Sequence, residues 1–442
     1  MTKEKIAMIN TKLKELMSFL DDSKTAFHAV ANISKILEAN HFTKLEENTV
    51  WEVKHGGSYY AVRNDSSLIA FRVPEKEFNG FQIIASHSDS PTFKVKEVPE
   101  LEQSKGYTKL NVEGYGGMIQ STWLDRPLSL AGRVIVSDGQ KIQTKLINID
   151  KDLLMIPNQA IHMNRQINEG YKFNIQKDML PLLGDAAATG AFTKIIAEAA
   201  GVEEAAIVGK DIFLYNRMQA TVWGASQEYF SAPRIDNLEC AFGSLKGFLQ
   251  AENIKNVAVY GVFDNEEVGS TTKQGAASTF LQDVLRRIML AIDKPNEYLN
   301  HLANSFMVSA DNAHACHPNA PEKTDDTNHV FMNEGIVMKH SANQKYTTDG
   351  ISRGILKTIL NQAGIPTQDF VNRSDVAGGS TLGSIANTQV SINTVDIGLA
   401  QLAMHSAYET AGVKDIEYLE KGTKAFMEAS IKMLKSGTYS IM

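Results

Sequence analysis

Residues 257–269 read VAVYGVFDNEEVG. The stretch Val257–Phe263 is a very apolar run of strand length, and it stops abruptly on Asp264, Asn265, Glu266 and Glu267. After residue 233 such runs alternate with amphipathic helical stretches: a helix over 238–251, the strand 257–263, a helix over 279–290 and a strand over 306–310. That rhythm predicts an α/β domain. In an open α/β sheet, ligands and reacting groups gather beyond the carboxyl ends of the strands. The residues just past each strand therefore matter most. FQIIAS ends in His87-Ser88-Asp89, and FMVSA ends in Asp311-Asn312-Ala313-His314. Three strands thus deliver imidazoles and carboxylates to one rim. Asp236, in PRIDNLE at the start of a helix, and His405, in LAMHSAYE, flank the set.

Taken singly, each has a plain reading. A His-x-Asp pair is an ordinary hydrogen-bonded loop, adjacent glutamates suit a solvated helix start, Asp311 and Asp236 suit helix caps, and His405 suits a buried histidine. Coincidence at all five places is improbable. Carboxylates and imidazoles without a cysteine partner are the ligand set of a hydrolytic Zn²⁺ or Mn²⁺ site rather than a structural zinc. Several carboxylates crowded together repel one another and hold protons. Two divalent cations remove that objection, given one bridging carboxylate and about two terminal ligands each.

Upstream, Ile6, Ile9, Leu13, Leu16 and Leu20 share one helical face and predict an amphipathic first helix. Ser23 is placed to cap a second helix carrying Phe27, Val30, Ile33 and Leu37. Strands are expected over 59–63, 68–73 and 81–85. From Phe93 to Pro233 helical periodicity becomes scarce and short β-like segments appear (130–137, 145–149, 220–223), with one helix over 185–200. The expected organisation is an α/β domain in two parts, 1–92 and 233–442, interrupted by a β-rich insert over 93–232.

Composition narrows the partners. Forty-four Lys and Arg against 51 Asp and Glu leave a net charge of −7, with no basic block to follow a phosphate backbone or an anionic lipid surface. No nucleic-acid or membrane partner is expected. No apolar run approaches the ~18 residues of a membrane span. The start of the chain lacks the apolar stretch of a secretory leader, and two cysteines, Cys240 and Cys316, make no disulfide framework. A cytoplasmic location is expected.

The segments SHSDSP, PRIDNLE, DNEEVGS, SADNAHACHPN, SDVAGGSTLGSI and LAMHSAYE, in this order, resemble the aspartyl aminopeptidase and vacuolar aminopeptidase I family of metallopeptidases. The resemblance implies a mixed-sheet zinc-peptidase domain of α/β class, interrupted by a smaller β-rich oligomerisation domain. It implies a closed homo-oligomer, usually a tetrahedral dodecamer, and peptide substrates that lose their N-terminal residue. Two divalent ions, zinc first with manganese or cobalt as alternatives, would be held by His87 and Asp311 on one side and by Glu267 and His405 on the other, with Asp236 between them. Asp89 would hydrogen-bond the ring of His87. Glu266 would be the general base acting on a metal-bridging water; the residues alone do not separate its role from that of Glu267. NQAIHMNRQINEG resembles the segment that lends a histidine, here His162, to a neighbouring subunit; an exposed loop histidine is the plain alternative.

Lys339, in VMKHSANQKY, stands where the family places a lysine able to meet an acidic N-terminal side chain, which would favour Asp or Glu. A solvated lysine is its plain alternative. GGSTLG (378–383) lacks the Gly-Lys-Ser/Thr of a P-loop; its small residues suit close approach of a substrate backbone, with Asp375 and Ser380 as contributors. Two other readings stand beside aminopeptidase. One is a related metallohydrolase, such as a carboxypeptidase or deacylase, and the other is a non-catalytic self-assembling shell protein.

Overall fold

The computed structural model describes the backbone of residues 3–102 and 106–442 and the side chains of residues 11–101 and 106–442. Its centre is a nine-stranded mixed sheet. Four strands are parallel neighbours, in the order Val257–Phe263, Phe81–His87, Phe306–Ala310 and Asn393–Gly398. Ser67–Arg72 runs antiparallel on one side of this group and Ile336–His340 on the other.

The apolar run 257–263 is buried throughout because it is covered on both faces, as parallel strands generally are. Ala258, Tyr260 and Val262 pack with Leu238, Leu245 and Phe248 of the helix Ile235–Gln250. Val257, Val259 and Phe263 pack with Phe280, Val284 and Ile288 of the helix Phe280–Ala291. The first face is closed by the helix Asp415–Glu428, which lies so near Ile235–Gln250 that a Cβ on Gly247 would come within 2.4 Å of the Glu420 carbonyl oxygen.

Residues 92–216 form an antiparallel six-stranded sheet, running in space from Ile142–Asn148 through Leu128–Ser137, Ile207–Asn216, Thr92–Glu102 and Tyr107–Tyr115 to Leu182–Asp185. It has its own core, built on Phe93, Val112, Leu130, Phe192 and Leu214. Residues 221–232 do not join this sheet. Thr221–Trp223 and Tyr229–Ala232 pair with each other and then with Glu409–Gly412 in a third, five-stranded sheet.

Some local expectations change. Leu13, Leu16 and Leu20 are buried on the helix Lys3–Asp22, while Ile6 and Ile9 lie outside the described side chains. Ser23 does not cap the second helix; its Oγ accepts from Asn32 Nδ2 at 3.2 Å, and the helix Ala26–Ala39 starts after Thr25. The helix expected over 185–200 is shorter, Ala191–Ala200. Asp185 ends a strand paired with Tyr107, and Gly190, at φ +80°, turns the chain into the helix. Among the described residues no helix is long and apolar enough to cross a membrane.

Candidate active site

The three central parallel strands end side by side, with Phe263 registered on His87 and Ser309 on Ala85. His87 is the last residue of its strand, Glu266 and Glu267 form the 3₁₀ turn Glu266–Val268 just past theirs, and Asp311 follows Ala310 directly. Asp236 enters from the first turn of Ile235–Gln250, where its backbone is extended (φ −77°, ψ 109°) and its peptide bond to Asn237 is cis. His405 sits in a turn after Ala400–Leu402.

These side chains converge around Asp236. Its Oδ1 lies 3.4 Å from His87 Nε2, which is also 3.5 Å from Asp311 Oδ1. Its Oδ2 lies 3.6 Å from His405 Nε2, which is 3.4 Å from Glu267 Oε2. Such separations are long for hydrogen bonds, and Asp236 Oδ1 and Glu267 Oε1 are buried without any hydrogen-bond partner. Two groups, His87–Asp236–Asp311 and Asp236–Glu267–His405, each bring three ligand atoms within 4.8 Å of one another; His87, Glu266 and Glu267 make a third. Oxygen and imidazole donors spaced this way, with orphaned carboxylate oxygens, fit divalent cations.

Both imidazoles are held from behind. His87 Nδ1 donates to the Asp89 carbonyl oxygen at 3.1 Å, and His405 Nδ1 donates to the Gly117 carbonyl oxygen at 2.6 Å. Each ring therefore turns Nε2 toward the acids, the tautomer a ligand needs. Gly117 belongs to the β-rich region, and the approach is tight: Gly116, at φ +74°, would place a Cβ 3.0 Å from Glu267 Cβ.

The carboxylate of Asp89 is engaged differently from the expectation. Its Oδ1 is 3.4 Å from His87 Nδ1, but its hydrogen bonds come from the backbone N–H of Glu266 (3.1 Å), the backbone N–H of Glu267 (3.2 Å) and Tyr115 Oη (2.7 Å). Asp89 thus orients the His87 ring mainly through its backbone oxygen, while its side chain pins the turn carrying both glutamates. Glu409 is a site residue that sequence reasoning misses. It is buried and accepts from the backbone N–H of Asp236 (3.0 Å) and of His405 (2.7 Å), tying two distant segments together. Its only signal in the sequence is its place four residues after His405.

Electrostatics express the crowding. Burial pushes the Glu266 carboxyl up to about 8, with Asp311, Asp89 and Asp236 adding to it against the pull of His87. Burial and Asp236 raise Glu267 well above the carboxylate range. A cation among them would reverse this, since it favours the charged forms.

The sequence model of the aminopeptidase I zinc metalloprotease family (M18) matches residues 19–427. The chain belongs to this family. A protein named "probable M18 family aminopeptidase 2" from Clostridium novyi (strain NT) is 44% identical over 436 residues, covering 96% of this chain and 99% of the relative. The cryo-EM structure of the Ape4 and Nbr1 complex contains a similar chain at TM-score 0.92 and 34% identity, covering 96% of this chain and 86% of that one. The dodecamer of mature Ape1 from Saccharomyces cerevisiae is similar at TM-score 0.84 and 26% identity, covering 94% of this chain and 97% of that one.

In this M18 aminopeptidase the converging residues line a cleft of about 200 Å³ that also holds Lys339, His314, Tyr346 and Ser380. Lys339 is not solvated. At 3% exposure, its ammonium donates to the Asn312 carbonyl oxygen at 2.7 Å and lies 3.5 Å from Asp311 Oδ2. Asp375 does not reach the cleft; it is exposed and forms a two-bond fork with Arg373 (2.9 and 2.8 Å). His162 is exposed on a loop and does not line the cleft of its own chain.

Behind Lys339 lies a buried carboxyl on the helix of Asp236. Glu239 Oε2 accepts from Asn312 Nδ2 at 2.9 Å, and Oε1 is buried without a partner. Burial pushes Glu239 up to about 8, against the Asn312 hydrogen bond. The folded chain therefore keeps a proton that the unfolded chain releases near 4.5. Stability from this group falls as pH rises from about 4.5 to about 8 and stays low above that. Glu239→Gln, neutral at every pH and still an acceptor, should melt with wild type at pH 5 and above it at pH 9. The gain is about 1 °C for each kcal/mol recovered in a chain of 442 residues. Differential scanning fluorimetry at both pH values checks this, and a wild type more stable than the variant at pH 9 would contradict it.

Proposed function

We propose that this M18 aminopeptidase removes N-terminal residues, acidic ones preferentially, from peptides at a centre of two divalent metal ions. The observation that carries the reading is Asp236, whose two carboxylate oxygens face two separate imidazole–carboxylate groups. His87 and Asp311 would hold one ion, Glu267 and His405 the other, with Asp236 shared. When bound, such ions polarise the scissile carbonyl and acidify water. Glu266 lines the same cleft and is not needed in either three-atom group around Asp236. Its carboxylate takes the proton of the attacking water and delivers it to the leaving amine. Asp89, through the two backbone N–H groups it accepts, keeps that carboxylate aimed.

Lys339 supplies the acidic preference. An ammonium has three donors; one is used by Asn312 and a second faces Asp311, which leaves one for a substrate carboxylate. Ser380 lies on the same wall. Asp375, exposed and outside the cleft, holds Arg373 and is assigned no contact with substrate. The test is a panel of aminoacyl-p-nitroanilides, with and without chelator, followed by add-back of Zn²⁺, Mn²⁺ and Co²⁺. Chelator-sensitive release that is greatest for Asp and Glu is expected. Lys339→Met should lower kcat/KM for Asp and Glu relative to Leu by about 10–100-fold, the size of a lost charge-assisted hydrogen bond. An unchanged ratio would remove Lys339 from specificity.

Self-association into a closed homo-oligomer, a dodecamer as in the similar Saccharomyces cerevisiae structure, is part of the same proposal. His162 would complete a neighbour's cleft. Its exposed loop, flanked by exposed Ile161 and Met163, suits burial against another subunit. Co-assembled His162→Ala and Glu266→Gln subunits should then recover part of the activity that each lacks alone, measured as peptide turnover of hybrid particles. No recovery in verified hybrids would place His162 outside the reaction.

A further inference from the structure

Asp396 is a buried acid that no step of the proposed reaction uses. It stands on the strand Asn393–Gly398, registered on Ser309, between the core residues Val395 and Ile397. A carboxylate in such a strand is costly unless hydrogen bonds satisfy it. Here they come from two loops. Oδ2 accepts from the backbone N–H of Thr347 at 2.6 Å and from Thr347 Oγ1 at 2.7 Å, and Oδ1 accepts from Thr381 Oγ1 at 2.6 Å. The backbone N–H of Asp396 in turn donates to Thr348 Oγ1 at 2.9 Å. Gly383 leaves room for the carboxylate, since a Cβ there would come within 2.6 Å of Asp396 Oδ1.

Both loops, 341–349 and 372–381, are irregular and follow the strands Ile336–His340 and Thr367–Val371. Each forms part of the cleft wall: the first brings Tyr346, the second Gly379, Ser380 and Thr381. The ring of Tyr346 lies 5.5 Å from the Lys339 ammonium. Among the described residues, the hydrogen bonds that reach from 342–348 into the sheet all end on Asp396. Asp396 itself does not line the cleft. We propose that Asp396 is a positioning residue for substrate, clamping these two loops in the arrangement that receives the N-terminal end of a peptide. The inference rests on the aminopeptidase reading above. It acts through Thr347 and Thr381 and touches no group that reacts. A loop that spends part of its time away from the binding arrangement weakens apparent affinity by that fraction. It leaves the chemical step unchanged once substrate is bound.

Asp396→Val suits a buried strand and removes both tethers, whereas Asp396→Asn keeps the shape and exchanges charged hydrogen bonds for weaker neutral ones. In the full-length, metal-loaded, assembled enzyme, KM for aminoacyl-p-nitroanilides should rise about 10-fold in Asp396→Val and less in Asp396→Asn, with kcat within about 3-fold of wild type. The rise should be equal for Asp and Leu substrates, because the bonds of Lys339 to Asn312 and Asp311 are untouched. Bound metal should not change. Thr347→Val and Thr381→Val each delete one hydroxyl and leave the carboxylate in place; they should give smaller rises in KM, and they carry the test if Asp396→Val does not fold. Hydrogen exchange read by mass spectrometry should quicken at 342–348 and 378–381 in the variants, without any need for turnover. A wild type inert on every substrate would refute the aminopeptidase reading and this role with it. With an active wild type, unchanged KM in all variants, a fall in kcat at constant KM, loss of metal, or unaltered exchange in both loops would each overturn the clamp alone.

Discussion

Glu266→Gln is expected to lower kcat by about 10²–10⁴-fold, the range for losing a general base, while the protein keeps its metal. The substitution preserves shape and burial and removes only the ability to carry a proton. Glu266 also stands in a third possible ligand group with His87 and Glu267, so the experiment decides between two roles. Metal content after dialysis should match wild type in Glu266→Gln and fall in Glu267→Ala, because only Glu267 shares a group with Asp236 and His405. Equal metal loss in both would refute the division of labour. The two neighbouring glutamates differ in what surrounds them. Burial, Asp89 and Asp236 raise both carboxyls, but Glu267 Oε2 faces His405 at 3.4 Å, whereas Glu266 meets the charge of Asp311.

Asp236→Asn is expected to weaken both of the proposed metal positions together. An asparagine offers one neutral oxygen where the carboxylate offers two charged ones, each facing a different imidazole. Affinity for the retained metal should fall at least about 100-fold, beyond the 10–100-fold usual for removing an outer partner, and peptide turnover should fall with it. The control is stability under chelation. Asp236 Oδ1 is buried without a partner, and the Asp236 charge adds to the raising of Glu267, so neutralising it relieves repulsion, and chelated Asp236→Asn should melt no lower than chelated wild type. Loss of one ion with full retention of the other would show that Asp236 serves a single position.

Much of this was readable in one dimension, and particular residues show why. The run 257–263 is apolar at every position because helices cover both faces of its strand, and burial on both faces leaves its mark on each residue. His87 ends its strand and the acids at 264, 266, 267 and 311 come just after theirs, so identifying the strands was enough to bring them to one rim. Other features leave no such mark. Strands 221–223 and 229–232 look like part of the β-rich region that precedes them, yet they pair with residues 409–412. That pairing runs through backbone groups, which every residue carries. For the same reason the supports of the two imidazoles, the carbonyl oxygens of Asp89 and Gly117, were invisible in the sequence.

Strand burial and side-chain identity are local properties, so the class of fold, the chemistry of the donors and their arrival at a common rim are legible in the chain before it folds. Tertiary structure alone decided that Asp236 stands between two imidazoles, that Glu409 ties the segments of Asp236 and His405 together, and that Lys339 is buried at Asn312 while Asp375 is turned away to Arg373. These outcomes depend on distances between residues far apart in sequence. Packing sets those distances, and no local pattern encodes them.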